Sequence, residues 1–216
     1  MFIEPGRPVT VQELLRGMIV ASGNDAAVAL AEHTSGTQAA FVERMNDEAR
    51  RLGFVDTRFT NPTGQSDPQQ YSTARDIARL ALRIGNDFPQ HQALFAEREL
   101  TYNRISQANR NRLLWSDPTV DGMKTGHTEG SGYGMIASAK RPNGGLQRRL
   151  ISVVLGTNSD QTRTQESQKL LNWGVQNFDS IKLHSKGQVL QSPEVWKGSS
   201  STVKIGFTGD VLVTVP

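Results

Sequence analysis

The chain has 216 residues, of which 36% are hydrophobic and 21% charged, with a formal net charge of +3 at pH 7. This composition suits a folded protein and excludes an intrinsically disordered one. The chain has no cysteine, which excludes disulfides and thiolate metal sites. Its apolar runs are too short to span a membrane. Lysines and arginines are dispersed, so we expect a solvated surface and no nucleic-acid partner.

The first third of the chain is predicted to be helical. Thr10 and Glu13 form a capping-box pattern for a helix that begins near Val11. Residues 26–31 are rich in Ala and Val, which indicates a buried helix.

Two more helices are predicted before residue 90. In the first, Phe41, Met45 and Leu52 share one face, and Gly53 ends it. A turn-rich loop follows at residues 60–70. Ser72 or Thr73 then caps a second helix, whose apolar stripe consists of Ile77, Leu80, Ala81 and Ile84.

Strands are predicted in the second half of the chain. "ELTYNRI" (99–105), "GYGMIASA" (132–139) and "RLISVVLG" (149–156) have strand-like patterns. "RPNGG" (141–145) predicts a hairpin turn between the last two.

A helix at residues 164–178 follows the strands. We expect its large apolar side chains to face mostly inward; these are Leu170, Leu171, Trp173 and Phe178. Short β-like runs follow Ser180. The order predicts an α+β fold with an antiparallel sheet in residues 1–180, and the beginning of a small β domain in residues 181–216.

The triplet Ser22-Gly23-Asn24 allows two interpretations. Such residues are common at helix entrances, where their side chains cap free backbone N–H groups. Alternatively, Ser22 and Asn24 face a pocket and act chemically there. The triplet alone does not decide between these alternatives.

A second triplet, Lys124-Thr125-Gly126, begins a strand-rich section. It is compatible with an ordinary strand that leads into a turn. In a functional interpretation, Lys124 supplies positive charge and Thr125 supplies a hydroxyl. Gly126, lacking a side chain, lets an extended substrate lie against the strand edge.

Ser-Gly-Asn followed by Lys-Thr-Gly matches two signature motifs of the active-site-serine penicillin-binding family. By chance, both triplets would occur together in about one chain of this length in a thousand. Most of residues 1–180 resembles low-molecular-mass D-alanyl-D-alanine carboxypeptidases of serine peptidase family S11. The segments that carry this resemblance are "MFIEPGRPVTVQELLRGMIVASGNDAAVALAEHTSG", "YSTARDIARLA", "NRNRLLW", "VDGMKTGHT", "RLISVVLG" and "ESQKLLNWG".

The resemblance implies a β-lactamase/penicillin-binding-protein-like domain, incomplete at its N-terminus, followed by the start of the family's C-terminal β domain. It implies removal of the terminal D-alanine from peptidoglycan stem peptides that end in D-Ala-D-Ala, through an acyl-enzyme and without cofactor or metal. β-Lactams would act as inhibitors.

The resemblance also implies roles for the residues of both triplets. Ser22 would relay a proton to the leaving amine, and Asn24 would hydrogen-bond the substrate amide. Lys124 would keep the site electropositive, while Thr125 and Gly126 would bind the substrate's carboxylate and backbone.

Three residues outside the triplets also match family positions. The backbone N–H of His127 would complete an oxyanion hole. Arg163 would bind the terminal carboxylate through its fork of donors. For Arg110 we expect a structural ion pair.

The family's nucleophile lies in a Ser-x-x-Lys motif upstream of Ser-Gly-Asn, and no serine precedes Ser22 here. The one match, Ser201 to Lys204, lies downstream in a β-like stretch, where an odd separation places the two on opposite faces. We interpret it as coincidental. We therefore expect a chain truncated at both ends and inactive by itself.

The resemblance further implies a periplasmic enzyme anchored to the outer face of the inner membrane. We expect the signal peptide and the C-terminal anchor to lie outside this chain, so that membrane association would require the missing anchor. A β-lactamase or endopeptidase on the same scaffold is one alternative. A non-catalytic peptidoglycan-binding or interaction protein is another.

Overall fold

The computed structural model describes residues 1–216. Its seven α-helices are α1 (Val11–Val20), α2 (Asn24–Ser35), α3 (Gln38–Arg51), α4 (Ala74–Asp87), α5 (Gln92–Phe95), α6 (Leu113–Ser116) and α7 (Asp160–Gln176). Its nine strands are β1 (Glu99–Tyr102), β2 (Ile105–Ala108), β3 (Val120–Thr128), β4 (Gly132–Asn143), β5 (Leu146–Thr157), β6 (Asp179–His184), β7 (Val189–Gln191), β8 (Ile205–Gly206) and β9 (Val211–Val215).

The helix starts follow from local capping, as predicted. At α1 the Thr10 hydroxyl accepts from the backbone N–H of Glu13, and the Glu13 carboxylate accepts from the N–H of Thr10. At α4 the cap is Thr73, which accepts from the N–H of Asp76. Gly53 follows the C-cap of α3 with φ +72°, a conformation that glycine adopts without steric cost.

The strand predictions needed one correction. "ELTYNRI" is not one strand but the hairpin β1–β2, because Asn103 and Arg104 have φ values of +48° and +63° and turn the chain back. The sequence there has asparagine but no glycine, so the turn signal was weak.

Strands β3, β4 and β5 form a sheet in that order, so β3 is an edge strand. β3 and β4 are antiparallel, with Lys124 opposite Ile136 and Thr125 opposite Met135. The predicted turn lies at Gly144–Gly145, between β4 and β5. The α+β prediction is confirmed.

The chain divides into two compact units: residues 1–140 with 149–171, and residues 141–148 with 172–216. We call them the first unit and the second unit. The predicted domain boundary after residue 180 stays a prediction.

The first unit has three clusters of buried apolar residues. One cluster joins β3 and β4 to α6 and α7, with Met135 and Leu171 each 1% exposed. A second joins the end of α1 to β1 through Val20 and Leu100, and a third surrounds Leu14 and Ala26. The predicted burial of residues 26–31 is confirmed for Ala26, Ala27 and Ala31.

The second unit contains the two-stranded sheets β6–β9 and β7–β8. Asn143 stabilises it through its side chain, which donates to the carbonyl of Phe178 and accepts from the N–H of Ser180. The expectation of inward-facing residues on the last helix was partly wrong. Leu171 is buried, but Leu170 in the first unit and Trp173 in the second are 44% and 54% exposed.

Candidate active site

A large open pocket of about 1670 Å³ lies in the first unit. One wall is the junction of α1 and α2, which includes Ser22 and Asn24, and another is β3 from Lys124 to Thr128. Arg163 of α7 also lines it. The two triplets, separated by about a hundred residues in sequence, thus meet at one pocket.

The junction of α1 and α2 presents Ser22 in an unusual backbone conformation. Ser22 has φ +52°, which is uncommon outside glycine. Gly23 is the N-cap of α2, and no side chain caps this helix. A Cβ on Gly23 would lie 3.0 Å from the backbone nitrogen of Met1 and 2.8 Å from Asp25 Oδ1, so a larger residue would require these groups to shift. The capping interpretation of Ser22 and Asn24 is therefore wrong.

Lys124 makes the contact that joins the two walls. Its Nζ donates to Ser22 Oγ, across 102 residues of sequence, and to the Thr125 carbonyl at 2.7 Å. Because both acceptors belong to the pocket, the ammonium group is held at one defined position.

The pKa of the Lys124 amine is lowered from its ordinary 10.5 to about 8. Burial is the largest cause, since it disfavours the charged form. The guanidinium groups of Arg110 and Arg163 lower this pKa further by repulsion. A sizeable fraction of Lys124 is therefore neutral slightly above pH 7.

Arg163 is 3% exposed and ties α7 to the sheet. Its guanidinium donates to the carbonyls of Gly126 on β3, at 2.9 Å, and Gly134 on β4, at 3.3 Å. It also pairs with Asp160 and lies over the Tyr133 ring. Much of its donor capacity is thus used to hold the strands, and its charge remains beside Thr125.

The edge of β3 is open at Gly126. This residue is exposed, and a Cβ added to it would meet no atom within 4 Å. Next to it, the His127 ring stacks against Tyr133 with centroids 3.9 Å apart. An extended peptide could pair with this free edge as an additional strand.

A polar network fixes β3 just before Lys124. The Asp121 carboxylate accepts two hydrogen bonds of 2.9 Å from Arg149 on β5 and one of 2.8 Å from Ser138 on β4. Asn111, fully buried, donates to the carbonyl of Gly122. Bidentate pairs of this kind fix geometry as well as adding energy.

The structure also adds residues that the sequence pattern did not indicate. The apolar wall of the pocket includes Phe88, Leu94 and Phe95, and Trp115 lies at its side. Phe88, Leu94 and Phe95 belong to no motif, so no signal could have found them, whereas Trp115 ends the segment "NRNRLLW". Arg110 is exposed, lines the pocket and has no ion-pair partner, so the expected ion pair is wrong.

The pair Ser201 and Lys204 is exposed and does not line the pocket. No cluster of three or more His, Asp or Glu side chains could hold a metal ion. None of the helices combines the length and apolar character needed to cross a bilayer.

Two protein families match the chain. The family described as D-alanyl-D-alanine carboxypeptidase matches residues 1–159, and the C-terminal domain of penicillin-binding protein 5 matches residues 178–216.

Individual proteins give the same result. D-alanyl-D-alanine carboxypeptidase DacA of Haemophilus influenzae is 46% identical, over 100% of this chain and 54% of the relative. The crystal structure of penicillin-binding protein 5 from Haemophilus influenzae superimposes with a TM-score of 0.88 at 45% identity, covering 100% of this chain and 62% of the other. The predicted penicillin-binding-protein-like fold is confirmed.

A third relative is penicillin-binding protein D2 from Listeria monocytogenes in its ampicillin-bound form, with TM-score 0.69 and 30% identity. The match covers 77% of this chain and 67% of that one. The chain spans about half the length of the curated relatives it matches.

Proposed function

Because the chain belongs to the D-alanyl-D-alanine carboxypeptidase family, we propose that its pocket is part of an active site that removes the terminal D-alanine from peptidoglycan stem peptides. The observation that carries this proposal is the hydrogen bond between Ser22 and Lys124 in a pocket beside the free edge of β3. The two motifs meet where a peptide has room to bind.

Substrate binding follows from the charges and the open strand edge. The peptide pairs with β3 at Gly126, and its terminal carboxylate binds the Thr125 hydroxyl within the positive field of Lys124 and Arg163. The backbone N–H of His127 stabilises the oxyanion. Arg163, occupied with two strand carbonyls, contributes mainly charge and position.

Ser22 and Asn24 act on the departing amine and on the substrate amide. Ser22, hydrogen-bonded to Lys124, relays a proton to the leaving D-alanine. Asn24 is exposed at the pocket wall, where its amide can bind the peptide. The nucleophile is a Ser-x-x-Lys serine, and this motif does not occur among the residues that line the pocket.

β-Lactams bind the same residues, in this proposal, as mimics of the D-Ala-D-Ala terminus. The ampicillin-bound relative supports this assignment. We further propose a periplasmic location, an anchor outside these residues, and a boundary near residue 180 between the catalytic domain and the C-terminal β domain.

Binding of a peptide to this chain tests the substrate assignment. A stem peptide ending in D-Ala-D-Ala should shift NMR signals of β3, and the same peptide with a terminal carboxamide should bind about 10-fold more weakly. Thr125→Val should weaken binding by a similar factor, whereas Lys140→Met, on the exposed part of β4, should not. Equal binding of acid and amide would contradict the proposal.

The chemistry is tested by joining a family segment that contains Ser-x-x-Lys in front of Met1. Labelled penicillin should then acylate the serine of that motif, and Ser22→Ala should slow acylation by about 100-fold. Absence of label from that serine in a folded chimera would favour the non-catalytic alternative.

A further inference from the structure

The Ser22–Lys124 pair has the arrangement of a nucleophile and its base. A serine hydroxyl becomes nucleophilic when a base within hydrogen-bonding reach takes its proton. Lys124 Nζ lies within that reach of Ser22 Oγ, and serine–lysine pairs are a known variant of the catalytic triad.

The surroundings keep the Lys124 amine oriented. Its second hydrogen bond, to the Thr125 carbonyl at 2.7 Å, leaves little freedom for the amine to turn away from Ser22. The pKa of about 8 leaves roughly a tenth of the amine neutral at pH 7. Neutral Lys124 has the lone pair that accepts the serine proton.

Ser22 itself is accessible to a reagent. It is partly exposed and faces an open pocket of about 1670 Å³. Its φ of +52° places it at a sharp turn between two helices. The side chain of Asn24, exposed on the same wall and without a partner, offers an amide donor for a developing oxyanion.

We propose that Ser22 and Lys124 form a serine–lysine dyad that accepts an acyl group from small activated esters, without any other nucleophile. Ser22 Oγ bonds to the ester carbonyl carbon while its proton passes to neutral Lys124. The bond to the leaving group breaks and releases an aryl oxide anion, and Lys124 then gives the serine proton to solvent. Water later hydrolyses the Ser22 ester, which releases the acyl group as a carboxylate and a proton and restores the Ser22 hydroxyl.

This activity is separate from the carboxypeptidase reaction. There, Ser22 relays a proton and a different serine is acylated. The dyad requires only residues of this chain and a leaving group that needs little protonation, so we expect it to act on aryl esters and not on peptide amides.

The test uses p-nitrophenyl acetate as the probe and this chain in full. Acid-quenched samples mapped by mass spectrometry should carry one acetyl group on Ser22. Ser22→Ala should lower p-nitrophenolate release by about 100-fold. Lys124→Arg, which keeps the charge but has no available lone pair, should lower it similarly.

The pH profile separates a base from a merely structural lysine. Release above the Ser22→Ala background should rise with an apparent pKa near 8, the value for Lys124. The other titratable or charged groups lining the pocket are His91, Arg110, Arg112, His127, Tyr133, Asp160 and Arg163. His91→Gln and His127→Gln should leave that apparent pKa in place.

Two controls exclude trivial results. Ser131→Ala removes an exposed hydroxyl near the end of β3 and should change nothing. The circular-dichroism spectrum and Tm of Ser22→Ala should match those of the unchanged chain, which excludes loss of folding as the cause of lost labelling. Acetylation of Lys124 with Ser22 unmodified, or unchanged release in folded Ser22→Ala, would overturn the dyad.

Discussion

The two units differ in how their residues are buried. The first unit contains every fully buried apolar side chain of the protein, whereas the second has strands and hydrogen bonds around largely exposed apolar residues. Trp196 is 85% exposed, and Leu183 of β6 is 53% exposed. Hydrogen-bonded strand pairs alone give little stability, because isolated two-stranded sheets are marginal in water. The active-site geometry therefore depends on the first unit, where packing fixes it.

Hydrogen exchange should show the largest difference between the units. We expect amides of β4 near Met135 to exchange about a thousandfold more slowly than those of β6 near Leu183, because only the former require global unfolding. Mass spectrometry after timed deuteration measures both in one sample. Similar protection in the two strands would mean that the second unit has a core of its own.

A matched pair of leucine substitutions sharpens the same contrast. Leu100→Ala removes a side chain that is 1% exposed and should cost about 2–5 kcal/mol of unfolding free energy. Leu183→Ala, at an exposed position, should change it by at most about 0.5 kcal/mol. Chemical denaturation monitored by circular dichroism compares the two variants. Equal losses of unfolding free energy would contradict the difference in burial between the units.

Lys124 makes the stability of the first unit depend on pH. Its native pKa of about 8 lies below the unfolded value of 10.5. Between these values the unfolded state binds more protons, so the free energy of unfolding should rise with pH, by about 3 kcal/mol in total. Lys124→Met should abolish this rise between pH 8 and 10.5 and should raise Tm at pH 7. Lys140→Met is the exposed control and should preserve the rise.

The smallest expected difference in unfolding free energy is between replacements of two aspartates, each paired with a basic side chain. Asp121→Asn weakens the pair with Arg149, in which both side chains are 24% exposed, and should cost about 1–2 kcal/mol. Asp210→Asn weakens the more exposed pair with Lys182 and should cost less than about 1 kcal/mol. The Asp121 variant should also change the pKa of the Lys124 amine, because the Asp121 network fixes β3. If NMR shows an unchanged Lys124 pKa, the Asp121 network does not position Lys124.

Much of the fold could be predicted from local sequence. Capping residues such as Thr10 and Thr73 act within one helical turn, and the glycines of the β4–β5 turn act within two residues. Burial of the last helix was predicted less well, because Trp173 and Leu170 have apolar side chains and still lie outside the core. An apolar residue does not specify which surface will cover it.

For the active site, the motifs named the residues but not their partners. The predicted site residues all line the pocket; they are Ser22, Asn24, Lys124, Thr125, Gly126, His127 and Arg163. The roles assigned to these residues stay proposals. Arg163 is an example. The sequence predicted an arginine that binds a carboxylate, but it could not predict that the guanidinium also donates to two strand carbonyls.

The sequence by itself determined where the helices begin, where the chain turns, and which two triplets carry chemically active side chains. These features depend only on neighbouring residues. Only the tertiary structure decided that Ser22 meets Lys124, that β3 has a free edge at Gly126, and that the Lys124 amine lies in surroundings that lower its pKa. The physical reason is that hydrogen bonding across 102 residues and loss of solvent arise from packing of distant segments.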